Sequence, residues 1–262
     1  GDHRDLHSFP TRRSSDLIDR EVLGEKHPDY ATPLNNLAEI YEMQGRYADA
    51  EPLHGRALEI LERTGVALYD EEALELLKKA GVKAFDGNRV RIPSGLVEKA
   101  MTTAPKRVTL CDREGNRVMP VEGYRSFFGT GSDCLYVIDH RTNHRRLAVL
   151  QDVREGMTVA DALSHIDFVM CMFLPSDVNQ VVADRYQMEA MLNNTVKPIV
   201  YVSPDFEGCK AAVEMCEAVS GSADAFRAKP FAACYINVTS GLAANEEALQ
   251  KCIYLAEKDH CS

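Results

Sequence analysis

Small, hydroxyl-bearing and acidic residues gather in four short stretches of this sequence: Gly129, Thr130, Gly131, Ser132 and Asp133; Ser176 and Asp177; Ser203 and Asp205; and Asn237, Thr239 and Ser240. A glycine-rich stretch lets a backbone approach a ligand closely, and its amides can hold an anion. The plainer reading of Gly129 to Asp133 is a tight turn between strand and loop. It lacks the third glycine of a dinucleotide-binding fingerprint. His140 and His144 stand four apart, a spacing that on a helix offers two imidazoles to a metal. Asp139, Thr142 and Asn143 mark a turn there instead, so both histidines read as solvated loop residues and no metal site is expected. Met170, Cys171 and Met172 read as the filling of a buried strand.

Each of the four stretches follows a predicted strand. From Tyr124 the chain alternates strands and helices. A strand and glycine-rich loop over 126–139 precede an amphipathic helix over 147–163 and a buried strand over 165–177. A helix over 181–194, a strand over 197–205, a helix over 207–221, a strand over 229–241 and a helix over 245–258 follow. Strand starts at Ile166, Ile199 and Phe231 lie 33 and 32 residues apart. Continuously apolar strands separated by helices imply a parallel sheet covered on both faces. A repeat of this length is that of a (β/α)8 barrel, in which ligand and catalytic groups sit at the strand C-terminal ends. The alternative is a doubly wound sheet, supported only by the incomplete glycine pattern. The expected fold is therefore α/β: a truncated (β/α)8 TIM barrel of about four βα units, occupying 124–262. An α+β lead-in over 61–123 precedes it, with Asp70 as a helix cap, a helix from Ser94 to Thr103 and a strand from Val108 to Cys111.

Upstream, Leu34, Leu37, Ala38 and Tyr41 share one helical face, and Tyr47, Ala50, Leu53, Ala57, Leu58 and Ile60 form a second stripe after Gly45. This predicts an N-terminal helical hairpin within 18–60. The stretch resembles one tetratricopeptide repeat of the kinesin-light-chain type, in the lead-in His27, Pro28, Asp29 and the core Asn35, Asn36, Leu37, Ala38. A lone repeat cannot bury both of its faces, so no peptide groove is expected from it. Residues 1–17 have no periodicity and resemble the in-frame translation of a sequencing-library adapter; they are expected to be a disordered artefact.

Composition excludes several classes. The chain has 262 residues, 45% hydrophobic and 27% charged, and a net charge of −10 with the acids scattered, which disfavours nucleic acid as a partner. No apolar stretch is long enough for a membrane span, and the N-terminus has no secretory apolar core. Eight cysteines are irregularly spaced without a CxxC pair, as in reduced, cytoplasmic proteins.

From about Leu61 to His260 the chain resembles the trimethylamine corrinoid methyltransferase family. The resemblance rests on LERTGVALYDEEALELLKKAGV, NRVRIPSGLVEKAMTTAPKRVTL, FFGTGSDCLYVID, Lys197-Pro198 and EEALQKCIYLAEK. It implies a TIM barrel that moves a methyl group from a methylated amine to the Co(I) corrinoid of a partner protein, in methylamine metabolism and methanogenesis. The corrinoid (cobalamin) is thus implied on the partner, with no cofactor bound directly by this chain. Founding members carry pyrrolysine in the later half of the barrel, and relatives without it use quaternary amines such as glycine betaine. No position here matches that residue. The resemblance therefore places the catalytic residues, unknown here, in a C-terminal half not represented, and the chain alone is expected to be inactive. A quaternary methylammonium group accepts no hydrogen bond, so its site would use aromatic faces and a carboxylate. Tyr136, Tyr201 and Tyr235, with Gly129, Thr130, Gly131 and Ser132, are the candidate substrate-binding residues, and Asp139 or Asp205 the candidate charge. A homo-oligomer is compatible with this reading. A junction between repeat and enzyme is expected near Arg56 to Leu61. The other reading of the whole chain is a repeat-containing scaffold without catalysis.

Overall fold

The computed structural model describes residues 34, 37, 38, 41, 46–123, 125–237 and 242–260. The expectations for residues 1–17, for most of 18–45 and for Thr239 and Ser240 lie outside the described residues. Two units can be distinguished, the described residues of Gly1–Ala104 with Val238–Glu246, and those of Pro105–Asn237 with Glu247–Ser262. This division falls between Ala104 and Pro105, whereas the sequence reading divides at 60/61 and 123/124.

In the first unit, Leu34, Leu37, Ala38 and Tyr41 are helical, and helix α1 (Tyr47–Arg63) follows. Leu34 packs with Ile60, Leu53 and Leu242. Helix α1 runs unbroken through Arg56–Leu61. Strand β1 (Val66–Leu68) leads to helix α2 (Glu71–Lys79), whose start is fixed by Asp70: its carboxylate accepts the Ala73 N–H at 2.7 Å. Glu71 and Glu72 in the first turn, with Lys78 and Lys79 in the last, complement the helix dipole. Strands β2 (Ala84–Asp86) and β3 (Arg89–Val90) form an antiparallel pair and helix α3 (Ser94–Thr103) follows. The later strand β10 (Ala243–Ala244) joins β1 in parallel, giving the order β10-β1-β3-β2.

The second unit opens with the antiparallel pair β4 (Val108–Cys111) and β5 (Arg117–Val121). Gly129 and Cys134 then bridge in parallel to Phe168 and Phe173, and Val169 bridges in parallel to Ile199. Strand β8 (Ile199–Tyr201) pairs in parallel with β9 (Ala232–Cys234). Between these segments lie α4 (Leu150–Ala162), α5 (Ala183–Asn194) and α6 (Phe206–Ser220), with α7 (Ala223–Ala228) before β9 and α8 (Glu246–Glu257) after it. The parallel neighbours therefore follow chain order. Among the described residues these parallel neighbours show no reversal of strand order, the mark of a doubly wound sheet's switch point. Among the described residues the fold is mixed α/β, with no closed barrel.

Val153 and Met157 of α4, Met188 and Met191 of α5, and Cys209 and Val213 of α6 share one core with Val169, Ile199 and Ala232. Lys197, just before β8, donates from Nζ to the Ala160 and Leu163 carbonyls at the end of α4. A lysine so placed satisfies carbonyls that the helix leaves open. Helix α7 was not expected from the sequence, although Ser222 caps it by accepting the Ala225 N–H.

Candidate functional site

The glycine-rich stretch runs beside the next parallel segment. The Thr130 hydroxyl donates to the Met170 carbonyl at 2.8 Å and accepts the Met170 N–H at 2.7 Å, replacing a rung of the backbone ladder. The Gly131 carbonyl accepts the Met172 N–H, and the Met172 carbonyl accepts that of Cys134. Gly129 has a steric duty: a Cβ there would stand 2.4 Å from the Phe168 ring. Ser132 is half-buried beside exposed Gly131 and Asp133. Both the hydroxyl of Thr130 and the bare face of Gly129 are thus used in joining two strands.

The other candidates fall into two groups. Ser176 Oγ donates to the Ala148 carbonyl, and Asp177 accepts the Leu150 N–H, so both secure the start of α4. Asp205 caps α6 through the Gly208 N–H, and the Ser203 carbonyl accepts a hydrogen bond from the Lys251 ammonium. Asn237 is exposed. In a βα unit with a short loop, the helix N-terminus lies beside the C-terminal end of the preceding strand, and Asp205 follows β8 in this way.

The three tyrosines are not brought together as a described cage. Tyr201 is 4% exposed in the core, its hydroxyl 3.8 Å from Cys209 Sγ, and burial pushes its phenol well above the usual range. Tyr235 is 50% exposed just after β9 and is tied to its neighbour strand by donating its N–H to the Tyr201 carbonyl. Tyr136, expected in the first barrel strand, lies in strand β6 (Tyr136–Ile138), paired antiparallel with β7 (Arg145–Leu147). The Arg145 guanidinium sits 3.7 Å from the centre of its ring, so this aromatic face already holds a cation. His140 and His144 lie in the connection between these two strands, not on a helix, as the turn formers around them imply.

The hairpin carries a charge cluster that the sequence reading did not find. Arg146 Nε donates to Asp139 at 2.9 Å, while Nη1 and Nη2 donate to the two oxygens of Asp152 at 2.7 and 2.8 Å. Asp139 also accepts the Arg141 and Thr142 N–H groups, and Asp152 that of Val149 at the start of α4. The bidentate fork matches carboxylate geometry. The Arg146 bonds, with those backbone donors, hold Asp139 well below the usual carboxylate range; the same arginine lowers Asp152 against its burial. An acid in the first turn of α4 was the one local signal, but its partner comes from β7. Because both folded values lie below the unfolded ones, the stabilisation is present above the ordinary carboxylate range and is lost as pH falls through about 4 towards the depressed values. Denaturation series at descending pH are expected to show a steeper loss for the natural chain than for Arg146→Met. Parallel slopes would exclude the coupling.

A run of parallel segments in chain order, with helices between them and polar residues at the strand ends, defines an α/β protein. The chain belongs to the trimethylamine methyltransferase (MTTB) family, whose profile matches residues 19–262 and thus also includes most of the stretch read as a lone repeat. It is similar to the trimethylamine methyltransferase MttB of Desulfitobacterium hafniense, with 31% identity over 191 residues. That alignment covers 72% of this chain and 38% of the relative, so the chain spans well under half of the relative's length. Among the described residues, no helix is long and apolar enough to cross a membrane.

Proposed function

We propose that this chain serves the transfer of a methyl group from a methylated amine, trimethylamine or a quaternary amine such as glycine betaine, to the Co(I) corrinoid of a partner protein. The observation that carries this reading is the family match across residues 19–262. The sequential parallel order Gly129, Phe168–Val169, β8, β9 supports reading the second unit as successive βα units of a TIM barrel. On that reading the substrate end is the strand C-terminal face. Half-exposed Tyr235 and the Asp205 carboxylate would there offer an aromatic face and a negative charge to the ammonium, with Gly131 and Ser132 at the rim. Tyr201 would support the strand from beneath, and Tyr136 would take part only once Arg145 leaves its ring. The protein's task would be positioning, with the carbon to be transferred held in line with its acceptor.

The scaffold alternative has in its favour the packing of Leu34 on Leu53 and Ile60, yet the family match begins at residue 19 and spans those residues. Two measurements test the proposal. Titration with tetramethylammonium, trimethylammonium and glycine betaine is expected to show saturable binding, absent for a neutral isostere of the same shape. Addition of a methylated amine and cob(I)alamin to this chain, and to the Desulfitobacterium relative in parallel, reads transfer as loss of the Co(I) absorbance. If this chain binds no methylated amine and neither protein consumes Co(I), the reading is wrong.

A further inference from the structure

The core of the second unit contains reactive groups that methyl transfer leaves unused. Cys209, in the first turns of α6, and Cys234, at the end of β9, are both buried free thiols, and their sulfurs lie 4.0 Å apart. The Tyr201 hydroxyl is 3.8 Å from Cys209 Sγ. Lys251 of α8, only 6% exposed, brings an ammonium into the same region, where Nζ donates to the Ser203 carbonyl at 2.7 Å.

We propose that Cys209 and Cys234 form an oxidisable dithiol, a modification site for a small hydroperoxide whose product is a disulfide joining the start of α6 to the C-terminal end of β9. A disulfide needs its sulfurs about 2.05 Å apart. From the present 4.0 Å the two sulfurs have about 2 Å to close. The two thiols have unequal roles. Contact with Cys234, then the Tyr201 hydroxyl and the Lys251 charge, hold Cys209 below the ordinary thiol range despite its burial. Contact with Cys209, together with burial, pushes Cys234 above it. We assign the attack to Cys209 because the Tyr201 hydroxyl, 3.8 Å from its sulfur, is placed to hydrogen-bond a thiolate there.

The chemistry balances with one peroxide. The Cys209 sulfur attacks one peroxide oxygen, the O–O bond breaks, and the departing hydroxide takes the thiol proton as water, leaving a sulfenic acid. The Cys234 sulfur then attacks that sulfur, the S–O bond breaks, and hydroxide leaves with the second thiol proton as another water. Two thiols lose two electrons and the peroxide gains them. The bond would tie the C-terminal end of β9 to the helix that follows β8, at the strand ends where the proposed substrate site lies. That consequence rests on the methyltransferase reading, but disulfide formation does not, so either can fail alone.

The test uses the full chain, reduced, exposed to hydrogen peroxide, quenched with an alkylating agent after denaturation, and mapped without reduction. The expected result is a loss of two hydrogens from the intact mass, reversed by dithiothreitol, and a peptide linking Cys209 to Cys234. In Cys234→Ser the disulfide should vanish and a dimedone adduct should appear on Cys209; in Cys209→Ser, Cys234 should remain a free thiol. Should either variant fail to fold, the map of the natural chain decides. Oxidation confined to exposed Cys134 and Cys252, or a disulfide linking any other pair, overturns the proposal.

Discussion

Ile199→Ala is expected to lower the unfolding free energy by about 2–5 kcal/mol, and Ile199→Val by about 0.5–1.5 kcal/mol. Ile199 is fully buried in β8 and touches the sheet on both sides: Val169 bridges to it in parallel and it is in register with Ala232. Its N–H donates to the Phe231 carbonyl at 2.8 Å, a bond that either substitution keeps. The loss therefore comes from side-chain atoms alone. Truncation removes their transfer free energy and leaves a cavity that a close-packed core closes only in part. Exposed Met101 on α3 supplies the control, because Met101→Ala empties no core and is expected to stay within about 0.5 kcal/mol. Denaturant titration of the three variants checks the series, and equal losses for Ile199→Ala and Met101→Ala would contradict the placement of β8 at the centre of this sheet.

Gly129→Ala is expected to cost about 1–3 kcal/mol through overpacking. The added methyl would lie 2.4 Å from the Phe168 ring, and Phe168 is itself the parallel partner of Gly129, so ring and strand would have to shift together. The Phe128 N–H to Asp167 carboxylate bond and the Thr130 hydroxyl bonds to Met170 lie on either side and would be strained with it. Faster amide exchange at Met170 and Met172 than in the natural chain is the local signature expected beside the loss of stability. Gly129→Ala combined with Phe168→Leu should recover part of that loss, since the smaller side chain relieves the clash; no recovery would mean that the glycine is needed for something other than this contact.

These two sites differ in how far the sequence showed them. Ile199 was a predicted strand start, placed by an apolar run between helices with a regular spacing, and β8 begins there. Asp70 and Asp205 were recognisable by position, Asp70 as a cap and Asp205 as a strand-end acid, because a cap acts on an N–H three residues ahead. Gly129 is different. Its pattern suggested a ligand loop, whereas its neighbour is an aromatic ring 39 positions later in the chain. Tyr201 shows the same limit, since a short strand buried on both faces has no polar alternation to say which side chains reach a site. In the hairpin of β6 and β7 only the turn formers are local signals, and Arg146 joins carboxylates from two different elements. Gly208 is a further case: a Cβ there would stand 2.0 Å from an Asp184 oxygen on the neighbouring helix.

The sequence by itself determined most of the helices, the Asp70 cap, the parallel βα rhythm and the family. Periodicity and capping are interactions across three or four residues, and the family is carried by long stretches of matching residues. Tertiary structure alone decided that the strands pair in chain order, that Tyr201 is core while Tyr235 is open, that Thr130 serves as a rung, and that Cys209 meets Cys234. Those outcomes depend on which distant surfaces pack together, and side chains of one type are sent to core or to solvent by packing that local sequence does not encode.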